Sequence, residues 1–345
     1  MKDFYIADAA RFENQSVTSF FCLAAIGVRE KKGGGGQYLA LSLADKTGQF
    51  DARMWEEFAD VVQQCAEGCY VKVQWQVSKY QGKYQITLTK MRPAAESEID
   101  VADFVPTTQF DVTAMETELR GYVAAFANPH LRALVLAFLD DPGVGPAFMV
   151  APAAKRLHHA WIGGLLEHVL TLVRVCLATA PFYPEVDPDL LVTGAILHDV
   201  GKVRELSWKS SFNYTLEGQL IGHISIAQGM LHEKIAGLNA AAVVEAAENE
   251  SEPVMFPDKL RMLVEHMILA HHGKLEFGSP KLPMTPEAML LSALDDLEAK
   301  FQTLRNEFAA AKLAGKGADE TTEWVRSMER PLFDSKAWLE DGSKL

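Results

Sequence analysis

The chain has 345 residues, of which 48% are hydrophobic and 23% are charged. This length suits two domains or one large one, and the composition excludes extensive disorder and a small disulfide-stapled fold. The formal net charge of −13 argues against a polyanionic partner, but residues 1–95 carry 12 basic and 10 acidic side chains. Any nucleic-acid interface is therefore expected to be local.

The N-terminus and the cysteines indicate a cytoplasmic location. The first residues lack a basic region followed by an apolar core, and no stretch approaches ~18 uninterrupted apolar residues. Four cysteines are too few for a disulfide framework, and Cys65 and Cys69 have no second pair nearby to complete a zinc site. We expect neither secretion nor membrane insertion.

The first 92 residues show the alternation of β-strands. Val71, Val73 and Trp75 alternate with polar residues, and Leu39 and Leu41 do so in an earlier segment. About five short strands are expected, with a helical stretch at 56–65 between the third and the fourth. This order predicts an all-β barrel of the OB type over residues 1–92.

The rest of the chain is predominantly helical. Residues 93–111 lose both periodicities and are expected to be a linker, and residues 314–345 are expected to be a loop-like C-terminal tail. Between them, the pattern predicts an all-α helical bundle over 112–313. The predicted helices are 112–127, 130–140, 159–179, 188–200, 222–237, 258–272 and 286–312.

All ten histidines lie between His130 and His272. When the helices are drawn at about 100° per residue, a subset of these histidines and two carboxylates fall on the buried faces of five helices. A histidine and a carboxylate at the buried end of an apolar helix cost several kcal/mol unless they are paired or metal-bound, as estimated for buried polar groups. The predicted ligands are His168, His198, Asp199, His223, His271, His272 and Asp295.

This donor set predicts the chemistry. It contains nitrogen and oxygen but no thiolate, which favours two octahedral ions such as Mn²⁺, Fe²⁺ or Mg²⁺, with Asp199 as the bridge. Two such ions would activate a water to hydroxide and neutralise a phosphate, so phosphoester hydrolysis is expected. A satisfied core or capping histidine remains the alternative for any single member.

Several basic residues could assist. Lys202 is predicted to stabilise a phosphoryl oxygen, the alternative being a helix C-terminal lysine that satisfies carbonyls. A segment before the His168 helix could hold the substrate backbone, and a solvated basic loop is its alternative. The candidate residues in this segment are Lys155, Arg156, His158 and His159.

The order His168, His198-Asp199-Val200-Gly201-Lys202 and Asp295 resembles the HD phosphohydrolase superfamily. The segments GGLLEH at 163–168, GHISI at 222–226, HHGK at 271–274 and GSPK at 278–281 are similar to those of the YhaM-type 3′→5′ exoribonucleases. The resemblance covers roughly residues 10–312 and departs at 33–36, at 239–257 and in the tail. It implies an OB fold joined to an HD domain, a Mn²⁺ cofactor with Fe²⁺, Mg²⁺ or Co²⁺ as alternatives, and removal of nucleotides from the 3′ end of single strands.

The OB-type half is compatible with this function. Such barrels hold single strands by stacking bases on aromatic rings beside basic side chains, for which Tyr38, Arg53 and Trp55 are the candidates. Ordinary packing is the alternative role for each aromatic residue. Single-stranded RNA is the expected partner, single-stranded DNA is an alternative, and assembly into a homo-oligomer is left open.

Two other functions stay open. The same ligands could hydrolyse a small nucleotide, such as a cyclic dinucleotide or a nucleoside triphosphate, with the OB domain in a regulatory role. A nucleic-acid-binding scaffold with a vestigial HD domain is the non-enzymatic alternative, which the full set of seven ligand-type residues disfavours.

Overall fold

The computed structural model describes residues 2–12, 15–31, 35–80, 83–100, 103–155, 161–208, 212–313 and 315–340. The chain divides into two compact units. The first comprises Met1–Gln109 with Ser207–Asn213, and the second comprises Phe110–Leu206 with Tyr214–Leu345.

The first unit is a five-stranded closed barrel, as the alternation predicted. The strand order around the barrel is β1-β2-β3-β5-β4, with β3 and β5 parallel and the other neighbours antiparallel. A short helix, α1 (Ala59–Gln64), joins the third strand to the fourth. The strands are β1 (Ser16–Glu30), β2 (Gln37–Asp45), β3 (Gly48–Met54), β4 (Tyr70–Tyr80) and β5 (Lys83–Pro93).

The barrel interior is filled by the alternate side chains of its strands. Trp75 is fully buried, and its ring meets Phe4 and Phe21 edge to face at 5.0 and 5.2 Å. Leu39 and Met54 are paired across β2 and β3 and point into this core. The period of two therefore places the neighbouring residues of β2 and β3 on the outer surface.

The second unit is a helical bundle. The chain also forms a short two-stranded sheet of β6 (Leu206–Ser207) and β7 (Asn213–Tyr214). The helices are α2 (Val112–Ala124), α3 (Pro129–Leu139), α4 (Gly145–Val150), α5 (Gly164–Thr179), α6 (Pro188–Leu197), α7 (Lys202–Glu205), α8 (Leu216–Leu220), α9 (His223–Glu248), α10 (Asp258–Ala270), α11 (Pro286–Leu313) and α12 (Ser335–Glu340).

Two helices differ from the predicted ones by several residues at one end. Helix α9 continues past the predicted end at 237 to Glu248, because its alanine-rich second half keeps a high helix propensity after the apolar period fades. Helix α5 begins at Gly164, after Gly163 in the left-handed conformation, and not at 159. Residues 159 and 160 lie outside the described part of the chain, whereas residues 161–163 are described and are not helical.

The buried face of α11 also differs from the expected one. At about 3.6 residues per turn, the apolar residues of this helix predict a core stripe that includes Leu297 and Phe301. These two side chains are instead 44% and 51% exposed. The buried face instead carries Leu291, Glu298 and Gln302. Polar side chains can occupy it because they have partners there: Glu298 bonds to a histidine, and Gln302 bonds to Asn306 and Arg305.

The expected linker and tail are partly folded. Phe104 is buried, and its ring lies 4.7 Å from that of Tyr70 in the first unit. In the tail, Val325 and Leu332 are buried, whereas Trp324 is 64% exposed.

One helical stretch among the described residues, Gly164–Phe182, meets the length and hydropathy expected of a membrane span. Half of this stretch is buried inside the protein, and core helices of soluble proteins meet the same criterion, so the observation is weak evidence for a membrane.

Candidate metal centre

Five helices of the second unit bring the predicted ligands to one place. His168 lies in α5 and Asp295 in α11, while His223 is the first residue of α9. The remaining ligands follow the last turns of two further helices: His198 and Asp199 come directly after α6, and His271 and His272 directly after α10. The structure thus places all seven predicted residues together.

The imidazoles share one orientation. In each of the five rings, Nδ1 lies 2.7–3.0 Å from an oxygen that can only accept a hydrogen bond, so Nδ1 carries the proton and donates. This leaves Nε2 turned toward the shared centre, as expected of metal-binding histidines. The acceptors are Glu298 for His168, the Ala195 carbonyl for His198, Glu205 for His223, the Ile268 carbonyl for His271 and the Phe277 carbonyl for His272.

The ligand atoms form overlapping groups on both sides of Asp199. Its Oδ2 lies 3.3 Å from His198 Nε2 and 3.8 Å from His168 Nε2, and Asp295 Oδ1 lies 3.3 Å from the same His168 atom. Its Oδ1 lies 3.5 Å from His223 Nε2 and 3.8 Å from His271 Nε2. Donor atoms lie within 4.8 Å of one another in each of three sets: His168 with His198 and Asp295, His198 with Asp199 and His271, and His223 with His271 and His272.

These residues fit a divalent metal ion. Two donors that each sit about 2.1 Å from a shared ion lie about 3.0 Å apart at an octahedral angle and about 3.4 Å apart at a tetrahedral one, given ordinary ligand distances. Several observed separations fall at or just beyond this range. In addition, three buried atoms of this cluster have no hydrogen-bond partner among the described residues: Asp199 Oδ1, His223 Nε2 and His271 Nε2. Such orphaned buried atoms are costly unless something else occupies the site.

The surroundings of the buried ligands shift their pKa values in different directions. Burial lowers the pKa of His168, but its hydrogen bonds to Asp295 and Glu298 outweigh burial and raise that pKa to about 10, so this imidazole has to release its Nε2 proton when it binds a metal ion. Burial raises the pKa of Asp199, but the Lys202 ammonium and the nearby histidines outweigh it and hold the pKa well below its ordinary range. Burial holds the pKa of His271 well below its ordinary value. Asp199 is therefore an anion and His271 a neutral imidazole, the forms in which both bind metals.

Lys202 lies against the same carboxylate. It is the first residue of α7, and its ammonium nitrogen is 2.6 Å from Asp199 Oδ2. This contact is with a predicted ligand, whereas the alternative role for Lys202 was a contact with helix carbonyl groups. A cation here adds positive charge beside any phosphate bound at the centre.

A cavity of about 480 Å³ opens onto this cluster. Asp199, Lys202 and Asp295 line it together with His271 and His272. Further lining comes from Phe277, Ser292, Asp296 and Ala299. The volume lies within the range typical of small-ligand sites, so the ligand cluster is accessible to a nucleotide-sized group.

Two carboxylates next to the centre were not anticipated. Glu298 accepts from His168 Nδ1 at 2.9 Å, and Glu205 accepts from both His223 Nδ1 and the His223 backbone N–H at 3.0 Å. Glu298 is three residues after Asp295 and could have been found from that spacing, since i and i+3 share a helix face. Glu205 offers no comparable signal, because its contact with His223 depends on how α7 and α9 pack.

The predicted nucleic-acid residues fall in both units. On the outer surface of the barrel, the Tyr38 and Trp55 rings lie 4.9 Å apart, with the Arg53 guanidinium carbon 5.8 and 5.9 Å from them. In the second unit, the Lys155 ammonium lies 5.8 Å from the Tyr214 ring. Arg156, His158 and His159 lie outside the described residues.

Comparison with known proteins identifies both units. A family profile described as "HD domain" matches residues 165–300, and one described as "OB-fold nucleic acid binding domain" matches residues 27–94. The 3′-5′ exoribonuclease YhaM of Bacillus subtilis (strain 168) is 35% identical over 300 residues, which are 87% of this chain and 88% of that protein. Those of Bacillus velezensis and Bacillus licheniformis are 35% and 34% identical, with 87% of this chain and 88% and 90% of those proteins covered. The chain therefore belongs to the family of the YhaM 3′-5′ exoribonucleases.

Proposed function

We propose that this protein is a metal-dependent 3′→5′ exoribonuclease. The observation that carries the proposal is the convergence of five inward-facing Nε2 atoms and two carboxylates in a chain that also contains an OB barrel. The names of its relatives support the direction and the RNA substrate. We assign residues 1–92 to strand binding and residues 112–313 to hydrolysis, with 93–111 as linker and 314–345 as tail.

The proposed centre would hold two divalent ions. His168, His198 and Asp295 would hold one ion, His223, His271 and His272 would hold the other, and Asp199 lies between the two groups of ligands. Bound ions supply positive charge to the scissile phosphate and activate water for attack. A donor set of nitrogen and oxygen without sulfur supports Mn²⁺, with Fe²⁺, Mg²⁺ and Co²⁺ as alternatives.

The protein's own side chains orient the reaction. Glu298 and Glu205 fix the rings of His168 and His223, so the ligand atoms are positioned before substrate arrives. The Lys202 ammonium, 2.6 Å from Asp199, lies where it can also attract a phosphate oxygen. On the barrel, the Tyr38 and Trp55 rings and the Arg53 cation offer the stacking surfaces and positive charge that suit a single strand.

The test is an incubation with a 5′-labelled single-stranded RNA and each of the four metals in turn. We expect a ladder that shortens from the 3′ end, fastest with Mn²⁺, and its loss in Asp199→Asn. The matched control is Asp258→Asn, since this exposed carboxylate contacts Arg261 at the start of α10. An RNA that stays intact with all four metals would refute the proposal, and hydrolysis of a cyclic dinucleotide or a nucleoside triphosphate instead would replace it. A parallel DNA strand measures the preference for RNA.

A further inference from the structure

An aromatic ring lies at the metal centre without being a ligand. Phe277 lines the cavity of about 480 Å³ that also contains Asp199, Lys202 and Asp295. Its side chain is 58% exposed. Burying an aromatic side chain is favourable, so a ring exposed in this cavity offers apolar surface to a ligand.

Backbone contacts fix the position of Phe277 relative to the ligands. The Phe277 carbonyl accepts from His272 Nδ1 at 2.8 Å, so the residue that presents the ring also orients a ligand imidazole. A single 3₁₀ turn, Leu275–Phe277, carries the residue, and Gly278 ends this turn in the left-handed region at φ 85°. A shift of the Phe277 backbone would therefore disturb the His272 hydrogen bond.

The following residue anchors the turn to the bundle. Ser279 is buried, and its hydroxyl oxygen lies 3.0 Å from the Leu269 carbonyl in α10 and 2.8 Å from the Lys281 carbonyl. The Lys281 N–H also donates to the Leu269 carbonyl. Because α10 leads directly to His271 and His272, the Phe277 turn and these ligands share one support.

We propose that Phe277 stacks against the base of the 3′-terminal nucleotide and thereby positions the terminal phosphodiester at the metal centre. This inference rests on the proposed function. Every base has a π face, so a phenyl ring binds all four nucleotides without reading their edges, which suits an enzyme that removes nucleotides in succession. The Lys274 ammonium lies 5.0 Å from the ring centre and 3.5 Å from a Glu276 carboxylate oxygen, so the ring carries the proposal and not this charge.

The test compares 12-nucleotide RNAs that differ at one position: a normal 3′ end, an abasic 3′-terminal residue and an abasic penultimate residue. Wild type is expected to cleave the normal end about tenfold more efficiently than the abasic terminus, as a stacked base typically contributes that much. The penultimate abasic site should cost little. The loss should appear mainly in KM, because stacking positions the substrate before the chemical step.

Variants separate stacking from a structural role. Phe277→Leu should lower the ratio of cleavage of the normal RNA to cleavage of the abasic RNA about tenfold, whereas Phe277→Tyr, which keeps the aromatic ring, should retain the wild-type ratio. Leu275→Ala, which removes an exposed side chain of the same turn that does not line the cavity, is the matched control. Equal losses on all RNAs in Phe277→Leu, or a wild-type enzyme indifferent to the terminal base, would overturn the inference. A wild type that cleaves none of the RNAs would refute the proposed function itself.

Discussion

Removal of Glu205 should weaken metal binding although this residue is not a predicted ligand. One carboxylate oxygen of Glu205 accepts from the His223 backbone N–H and from His223 Nδ1, both at 3.0 Å. Partners of this kind typically contribute 10–100-fold to metal affinity, which corresponds to about 1.4–2.7 kcal/mol. Glu205→Ala should therefore raise the Kd for Mn²⁺ on the order of 10–100-fold. Glu205→Gln, which keeps an acceptor oxygen, should have a smaller effect.

Isothermal titration calorimetry of the metal-free protein with Mn²⁺ measures this change in Kd. Glu233→Ala is the matched control, because this exposed glutamate of α9 forms an ion pair with Arg204 on the protein surface. A Kd for Glu205→Ala within twofold of wild type, in a protein with an unchanged circular dichroism spectrum, would refute the reasoning.

The same pair has a predictable pH dependence in the metal-free protein. Burial raises the pKa of Glu205, but its hydrogen bonds with His223 outweigh burial and lower that pKa below the ordinary 4.5. The stability that this carboxylate contributes is therefore fully present above pH 4.5 and is lost as the pH falls through the folded-state pKa. Glu205→Gln should flatten this part of the stability profile in denaturant titrations at pH 3–6.

Other changes test other parts of the structure. Gly201→Ala should lower both the melting temperature and the affinity for Mn²⁺, because a Cβ there would lie 2.0 Å from the His223 carbonyl oxygen. The control Gly229→Ala in α9 has open space for a Cβ and should be neutral or stabilising by up to about 1 kcal/mol. Equal melting temperatures for the two variants would contradict this reasoning. Trp55→Ala should weaken binding of single-stranded RNA to the metal-free protein about 5–100-fold in fluorescence anisotropy, and Trp324→Ala in the tail should not. Burial raises the pKa of the Cys176 thiol to about 12, so Ellman's reagent at pH 8 should modify it only on unfolding, and rapid labelling of native protein would contradict that burial.

The helix faces that carry the predicted ligands could be found from sequence because the spacing was clear. His168 and Asp295 each lie on a regular helix, where 3.6 residues per turn fixes their direction. His198 and Asp199 follow an apolar helix that has to be buried on all sides, so their burial also follows from the sequence.

The positions that sequence reasoning missed depend on partners distant in the chain. Apolarity placed Leu297 on the core face of α11, yet the buried position belongs to Glu298, whose charge is compensated by His168, 130 residues earlier in the chain. A pattern of hydrophobicity scores Glu298 as a surface residue, because the pattern contains no information about that histidine. The exposed ring of Phe277 was missed for the opposite reason, since an apolar residue is ordinarily assigned to the core.

The distribution of the ligands over five helices makes the centre a cross-link of the bundle. An ion bound at this site would link α5 to α11 through His168 and Asp295, which are far apart in the chain. It would also link these two helices to the ends of α6, α9 and α10. Free metal at 100 times its Kd stabilises a fold by about 2.7 kcal/mol. If the site binds metal as proposed, loss of the ion would lower the stability of the fold as well as the activity, and the unfolded chain is open to proteolysis.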